Sequence, residues 1–262
     1  MELSLSGKSA FVCGSTDGIG KACALEIAAL GANVVLVARN ENKLNGVIQE
    51  LSKKEGQVHQ YIVSDFSQPE ILKEKTALFL RTNESPVILV NNTGGPSPGE
   101  LIEEDYTKME KTFQAHIHCN HLLAQALVPG MRAKGYGRIV NVISTSVYQP
   151  IAGLGVSNTT RGAVASWAKT LSLELGKYGI TVNNVLPGLT RTSRLDNLIK
   201  SKANDANVSF EKMEEIMNSD TPLGRVGSPS EIANMISFLV SPAAAYVNGV
   251  SIPVDGGRTG TI

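Results

Sequence analysis

Short runs of β-branched and other apolar residues alternate along the chain with longer segments whose apolar residues recur at helical spacing. Seven of the short runs predict strands. Their apolar residues are nearly continuous, which is typical of parallel strands covered by helices on both faces. The predicted strands are 9–13, 33–37, 58–63, 87–90, 138–143, 181–186 and 251–254.

The segments between these runs predict helices at 19–30, 41–53, 70–81, 103–134, 159–178 and 230–240. Strands that alternate with helices in this way indicate an α/β protein with a doubly wound parallel seven-stranded sheet, the Rossmann fold. No repeat and no Pro/Gly/Ser-rich linker divides the sequence. We therefore expect a single domain over residues 1–262.

Two segments lack a strand pattern. Residues 92–100 predict a loop directly after a strand, where ligand-binding loops lie in such sheets. Residues 191–220 are polar and only partly helical, at 210–217. We interpret this second segment as a lid over a site; the alternative is a mobile excursion without a role.

Composition narrows the class of protein. Apolar residues make up 42% of the 262, which provides a large core and excludes a disordered chain or a coiled coil. Lys+Arg and Asp+Glu both number 24, so no excess charge indicates a nucleic acid or membrane partner. Three cysteines without a CxxC pair, and no secretion-signal pattern at the start, favour the cytoplasm.

The turn after the first predicted strand is rich in glycine and opens the first helix. Glycines at this place let backbone N–H groups approach a diphosphate at a helix N-terminus, where the helix dipole favours negative charge. We therefore expect the turn to bind a dinucleotide; the alternative is a plain turn. The candidate cofactor residues are Gly14, Ser15, Thr16, Asp17, Gly18, Ile19 and Gly20.

The residues after the second strand bear on the choice of dinucleotide. Ala38 and Arg39 stand where NAD-binding proteins place an acidic residue, and an arginine is suited to a 2′-phosphate. Arg39 and the following Asn40 are therefore candidate cofactor residues. This favours NADP(H) over NAD(H), although the nearby Glu41 and Asp17 count against it. Asp65 and Phe66, after the third strand, are candidates for the adenine site; the alternative for Asp65 is a turn or helix-capping role.

Several motifs resemble those of the short-chain dehydrogenase/reductase superfamily, most closely its β-ketoacyl-acyl-carrier-protein reductase-like branch, across nearly the whole chain. They are the glycine turn, Asn91-Asn92-Thr93-Gly94, Pro187-Gly188-Leu189-Thr190-Arg191-Thr192, Pro222-Leu223-Gly224-Arg225-Val226-Gly227 and Val254-Asp255-Gly256-Gly257. The resemblance implies that Asn92, Thr93, Gly94, Pro187, Gly188, Thr190 and Thr192 bind cofactor.

The same resemblance implies hydride transfer between a nicotinamide and a small-molecule carbonyl or alcohol, with acyl thioesters among the candidate substrates. It also implies a homo-oligomer, a tetramer or a dimer, built through helices at about 110–134 and 159–178.

The catalytic positions depart from the family pattern. Ser144 matches the serine that orients the carbonyl, but thirteen residues later Ser157 replaces the tyrosine. Arg161 replaces the lysine, and His116 occupies the position of the asparagine. A serine does not ionise near neutral pH, and its hydroxyl ends about 4–5 Å short of a tyrosine's reach. The family's Tyr–Lys pair is therefore absent.

Three sources of the proton stay open: Tyr148, His116 or water. The plainer alternatives are an aromatic wall residue for Tyr148 and a hydrogen-bonded helix residue for His116. Arg161 is expected to bind the nicotinamide ribose or an anionic substrate. His116, His118, His121 and Cys119 do not converge on one helix face, so we predict no metal site.

Two functions follow. The first is an NADP(H)-dependent reductase similar to 3-oxoacyl-acyl-carrier-protein reductases. The second is a dinucleotide-binding protein with little or no turnover, such as a sensor or an assembly subunit. The glycine turn agrees with both, the altered catalytic positions favour the second, and the retained Ser144 favours the first.

Overall fold

The computed structural model describes residues 1–54 and 56–261. Its centre is one seven-stranded sheet in the order β3-β2-β1-β4-β5-β6-β7, and all neighbouring strands are parallel. The strands are β1 Ser9–Cys13, β2 Asn33–Ala38, β3 Gln60–Val63, β4 Ile88–Asn91, β5 Gly137–Val142, β6 Ile180–Pro187 and β7 Ser251–Val254. The predicted fold class is confirmed.

The helices are α1 Gly18–Ala29, α2 Glu41–Glu50, α3 Pro69–Thr82, α4 Tyr106–Phe113, α5 Cys119–Lys134, α6 Gly155–Leu175, α7 Ser193–Ala206, α8 Phe210–Ser219 and α9 Pro229–Val240. The strand order runs outward from β1 in one direction and from β4 in the other. Right-handed crossovers therefore place helices on both faces of the sheet. Helix α1 packs against α9, and α3 packs against α5.

Burial explains why the apolar runs predicted the strands well. The central strands β4 and β5 are buried along their whole length, whereas β3 and β7 at the sheet edges are only partly covered. Among the described residues, no helix combines the length and the apolar character that a bilayer crossing requires.

Several predicted boundaries were wrong by two residues or more; the helix predicted at 41–53, for example, ends at Glu50. The strand predicted at 58–63 begins only at Gln60, because the Val58 N–H donates to the side chain of Asn33 and lies outside the ladder. The helix predicted at 103–134 begins at Tyr106 and is interrupted by a π-helical turn at Gln114–His118. The helix predicted at 159–178 begins four residues earlier, at Gly155.

The segment 191–220 holds two helices where the sequence predicted one. Helix α7 was missed because most of it is polar; its buried residues Leu195, Ile199 and Ala203 recur every four positions. They pack with Met213 and Met217 of α8 in a small apolar cluster of their own, separate from the main core. The segment is thus a packed helical hairpin.

Candidate active site

Two adjoining grooves lie at the carboxyl ends of the strands, where the strand order reverses between β1 and β4. Ligands of doubly wound sheets bind at this place. The outer groove is lined by Thr16, Arg39, Asp65, Phe66 and Thr93, among others. The inner groove is lined by Ser144, Ser157, Arg161, Pro187 and Thr192, among others. Gly14, Asn92, Thr93 and Gly94 line both, so the two form one continuous cleft.

The glycine turn between β1 and α1 is closely packed against the start of the next loop. Gly14 has a φ of 59°, which a side chain rarely tolerates, and a Cβ there would lie 2.7 Å from the Asn92 carbonyl oxygen. A Cβ on Gly20 would overlap the Gly14 carbonyl oxygen and lie 2.6 Å from Asn92 Nδ2. That Nδ2 donates to the Cys13 and Gly14 carbonyls, at 3.3 Å each. Glycine is therefore required at both positions.

Asp17 begins helix α1. Its carboxylate accepts from the Gly18 N–H at 2.8 Å and from the Ser193 hydroxyl at 2.5 Å. The hydrogen bond from Ser193 is the main reason that the pKa of Asp17 is lowered from its ordinary value. The beginning of α7 is thereby joined to the beginning of α1 across the cleft. A Cβ on Gly18, whose φ is 52°, would also lie 2.8 Å from the Thr192 methyl group.

Two predicted cofactor residues do not turn their side chains toward the cleft. Ser15 is fully buried, and its hydroxyl accepts from the Val37 N–H of β2 at 3.1 Å. Asn40 caps helix α2 by accepting from the Lys43 N–H at 3.0 Å. Both side chains hold the local backbone in place. Their sequence positions beside the turn and the second strand gave no means of distinguishing this role from ligand contact.

Arg39 lies at the open end of the outer groove, with its side chain 81% exposed. Its Nη1 lies 4.0 Å from an Asp65 carboxylate oxygen. The other Asp65 oxygen accepts from the Ser67 N–H, so this residue both holds its turn and lines the groove. Phe66 is nearly buried in the same wall. The open groove therefore has an apolar wall and an accessible guanidinium at its end.

The loop after β6 forms one wall of the inner groove. Gly188 donates its N–H to Val254 of β7, and a Cβ there would lie 2.6 Å from the Asp255 Cα. Beyond it, Thr190 is buried and bonds back to the Gly188 carbonyl, and Thr192 caps helix α7. Pro187, Gly188, Thr190 and Thr192 all line the inner groove, as the predicted motif requires.

Ser144, Ser157 and Arg161 are brought together in the inner groove. The Ser144 hydroxyl accepts from the Ser146 N–H at 3.1 Å, which leaves its proton available to a ligand. Ser157 and Arg161 lie one turn apart on α6 and are almost buried. Arg161 donates to the Val142 carbonyl of β5 at 2.9 Å. Burial and the nearby charge of Arg194 lower the pKa of Arg161 to about 10.

His116 lies in the π-helical turn between α4 and α5 and is 2% exposed. Burial is the main cause that lowers its pKa to about 2, and the charge of Arg161 contributes, while the nearby Gly94 backbone opposes them. The imidazole is therefore neutral at physiological pH and is not poised to donate a proton. The buried imidazole lies beside the backbone of Gly94.

Tyr148 was expected to line the substrate pocket. The structure instead turns its hydroxyl to the Ser251 carbonyl of β7, to which it donates at 2.7 Å. The side chain is 45% exposed, and it is not part of the inner groove wall. A contact across 103 positions of sequence determines its direction, so local spacing gave no signal.

Arg194 is a residue of the site that the sequence did not single out. It lies in the first turn of α7, lines the mouth of the inner groove and donates to the Pro96 carbonyl at 3.0 Å. A Cβ on Gly95 would lie 2.5 Å from its Nη1. The only signal was its place directly after the Thr190–Thr192 motif.

The glycine turn and the course of the groove on either side of it fit an extended dinucleotide. At the glycine turn, side chains are excluded at Gly14, Gly18 and Gly20 because a Cβ would meet Asn92, Thr192 or the Gly14 carbonyl. The N-terminus of α1 opens at this turn and favours a diphosphate. The groove continues from there in both directions, toward Arg39 and toward Ser144. Fold and site thus define a nucleotide-binding protein of the Rossmann class.

Comparison with known proteins identifies the family. The sequence model of the family described as Enoyl-(Acyl carrier protein) reductase matches residues 14–259. A tropinone reductase homolog of Arabidopsis thaliana is 34% identical over 98% of this chain and 77% of its own length. The dehydrogenase/reductase SDR family member 4 of Oryctolagus cuniculus is 32% identical over 97% of this chain and 94% of its own.

Among solved structures, the L-sorbose reductase of Gluconobacter frateurii complexed with NADPH and L-sorbose is 33% identical, covers both chains completely and has a TM-score of 0.94. The chain belongs to the short-chain dehydrogenase/reductase family, whose members are oxidoreductases that act on CH–OH and C=O groups.

Proposed function

We propose that this protein is an NADP(H)-dependent reductase of a small-molecule carbonyl compound, in which Ser144 orients the carbonyl and water supplies the proton. The observation that carries the proposal is the continuous cleft from Arg39, past the glycine turn, to Ser144, Ser157 and Arg161. When bound, the cofactor supplies a hydride from nicotinamide C4; the carbonyl carbon accepts it, the C=O π bond becomes a C–O⁻ bond, and the oxygen takes a proton.

The preference for NADP(H) is supported by the outer groove. Arg39 is exposed at the end of that groove and has no carboxylate within 4.0 Å other than Asp65 among the residues that the structure describes. A guanidinium in this position is suited to a 2′-phosphate, to which it presents parallel N–H donors. The NADPH complex of the related L-sorbose reductase agrees with this assignment.

The proton source is proposed by elimination among side chains of the inner groove. Ser157 does not ionise near neutral pH, and Arg161, with a pKa of about 10, stays charged. Asp17 is ionised because its pKa is lowered, and it is bonded to Ser193 and Gly18. Water that enters beside Ser157, in the space that a tyrosine ring occupies elsewhere in the family, is the donor that the geometry leaves.

A second function is favoured by the positions of two side chains. Tyr148 is committed to Ser251, and His116 is buried and neutral, so neither former candidate presents an acid to the groove. A chain with this arrangement is also suited to bind NADP(H) with little or no turnover. Ser144, placed with its hydroxyl in the groove, is the feature that favours the enzyme.

The two functions are separated by measuring NADPH binding and NADPH oxidation on the same preparation. Fluorescence titration gives the dissociation constant, and a panel of ketones, aldehydes, oxo acids and 3-oxoacyl thioesters gives the rate. The reductase predicts saturable binding together with turnover of at least one class, and a large loss of turnover in Ser144→Ala with NADPH affinity unchanged within about threefold.

Binding without turnover on any member of the panel supports the second function. Absence of saturable NADPH binding contradicts both. Ser15→Ala is a poor control because that hydroxyl supports the turn, whereas Ser52→Ala lies away from the cleft and is expected to leave both quantities unchanged.

We also propose that residues 191–220 act as a lid and that the chain forms a tetramer or dimer. Asp17–Ser193 and Arg194–Pro96 hydrogen bonds join the start of α7 to both sides of the cleft.

On α6, Leu173 is 74% exposed, and burial of such a side chain between copies is favourable. Light scattering of the native chain and of Leu173→Glu tests the assembly; the variant is expected to have the smaller mass.

A further inference from the structure

The inner groove holds two guanidinium groups at the end where the chemistry takes place. Arg161 is 8% exposed and comes from α6, and Arg194 stands at the mouth on α7. The positive charge of Arg194 is one cause of the lowered pKa of Arg161, so the two charges act on each other. Two like charges at one end of a groove are unfavourable unless a ligand compensates them.

Arg161 has few partners for a buried cation. Its one hydrogen bond within residues 1–54 and 56–261 goes from Nη1 to the Val142 carbonyl, a neutral acceptor. No carboxylate of this part of the chain forms an ion pair with it. A guanidinium has five N–H donors, and an uncompensated buried charge is strongly unfavourable. Arg161 lines the groove, and its other donors have no hydrogen-bond partner among the described residues.

Within the described residues, Asp17 is the one carboxylate that lines the inner groove. Asp17 lies at the glycine turn and is bonded to Gly18 and Ser193. The diphosphate of a dinucleotide is also expected at that turn. Among the described residues, Asp17 forms no ion pair with Arg161 or Arg194. A neutral ribose hydroxyl, which Arg161 is also placed to bind, leaves that charge in place.

We propose that the substrate of the inner groove is an oxo acid, which carries a carboxylate near its carbonyl. Arg161 binds the carboxylate, and Arg194 adds a second positive charge at the mouth of the groove. The proposal rests on the proposed reductase function and names its substrate class. A planar guanidinium binds a carboxylate through two parallel hydrogen bonds, which fixes the orientation of the carbonyl next to it.

The test compares oxo acids with their uncharged methyl esters, using 2-oxobutanoate, 3-oxobutanoate and 4-oxopentanoate as probes at saturating NADPH. The readouts are kcat/KM of NADPH oxidation and, for a pair that is not turned over, the dissociation constant from quenching of NADPH fluorescence. We expect at least one acid to be preferred over its ester by about 30-fold. An acid-to-ester ratio near one for all three pairs overturns the proposal.

Variants identify the residues responsible. Arg161→Gln is expected to bring the ratio close to one, Arg161→Lys to retain part of it, and Arg194→Gln to lower it about threefold because that side chain is exposed. Effects on cofactor binding cancel in the ratio. Arg225→Gln is the matched control, because Arg225 is paired with Glu231 outside this groove, and it is expected to leave the ratio unchanged. An unchanged ratio in Arg161→Gln contradicts the proposal.

Thermal unfolding without cofactor distinguishes this inference from the proposed function. If NADPH fails to bind but an acid raises the Tm of the native chain and not of Arg161→Gln, the anion site stands and the reductase does not. If neither NADPH nor any acid raises the Tm, both are wrong.

Discussion

The nucleotide half and the chemical half of the cleft differ in how closely their atoms are packed. The nucleotide half is a closely packed cradle in which Gly14, Gly20 and Asn92 leave no room for another atom. The chemical half is lined by the short or flexible side chains of Ser144, Ser157 and Arg161. The contrast teaches that cofactor binding is determined by backbone packing, whereas the chemistry depends on a few side chains that are replaced without disturbing the fold.

The largest effect is expected from restoring the family's pair in the chemical half. Ser157→Tyr with Arg161→Lys places a phenol and an ionisable amine in the groove, and a general acid contributes about 10²–10⁴-fold to a proton transfer. We expect NADPH oxidation on a neutral ketone to rise within that range. Tyr148→Phe is the matched control, expected to have no effect on rate because that hydroxyl is bonded to Ser251.

A fall in rate in the double variant contradicts the contrast. It would mean that Ser157 and Arg161 already form a working catalytic arrangement rather than a gap left by the tyrosine.

The second effect is the loss of the cradle. Gly20→Ala places a methyl group against the Gly14 carbonyl and Asn92 Nδ2, and such overpacking costs about 1–3 kcal/mol. We expect the NADPH dissociation constant, measured by fluorescence titration, to rise about 100-fold. Gly46→Ala is the control in α2, where a Cβ meets nothing within 4 Å. It is expected to bind NADPH with unchanged affinity and to unfold at a slightly higher temperature. Equal affinities of the two variants would disprove the packed cradle.

The third effect concerns pH. Because His116 has a pKa of about 2 in the folded chain and an ordinary value near 6.5 when unfolded, only the unfolded state takes up this proton between those values. Its contribution to stability is thus complete above pH 6.5 and declines as the pH falls. Between pH 7 and 5 the loss is about 2 kcal/mol. Over the same interval, the free energy of unfolding of His116→Asn, measured by urea unfolding, is expected to fall by about 2 kcal/mol less than that of the native protein.

His118→Asn serves as the control for this experiment, since it lies two residues away in the same π-helical turn. If the native protein and His116→Asn have the same pH dependence of unfolding, the pKa of the buried imidazole is not lowered by folding, and the acid role would return to consideration.

The smallest effect is expected at the outer end. Arg39→Gln removes the guanidinium that is proposed to bind the 2′-phosphate, and an exposed charge-assisted contact contributes about 1–1.5 kcal/mol. The preference for NADPH over NADH should fall about tenfold, with NADH affinity unchanged. Arg81→Gln on α3 is the control. An unchanged preference would locate cofactor selection elsewhere.

The sheet, most helices and the glycine turn were predictable because each is determined locally. A continuous apolar run such as 87–90 favours a buried strand, and a run of glycines directly after a strand favours a tight turn into a helix. Helix α7 was not predictable with the same ease, since its apolar residues Leu195, Ile199 and Ala203 are separated by polar ones and cover only the neighbouring helix α8.

Side-chain direction in the site was the part that sequence did not determine. The Tyr148 hydroxyl bonds to Ser251, Arg194 bonds to Pro96, and the Ser15 hydroxyl bonds to Val37 of β2. Each of these contacts joins residues distant in the sequence, so spacing along the chain contains no information about them.

The most direct test of the account is a fluorescence titration of the native protein with NADPH. The account predicts saturable binding of one NADPH per chain, displaced by NADP⁺, because glycines exclude side chains from the turn between β1 and α1, where the N-terminus of α1 favours a diphosphate. A titration that remains linear, without saturation or displacement, would contradict the assignment of this cleft as a dinucleotide site.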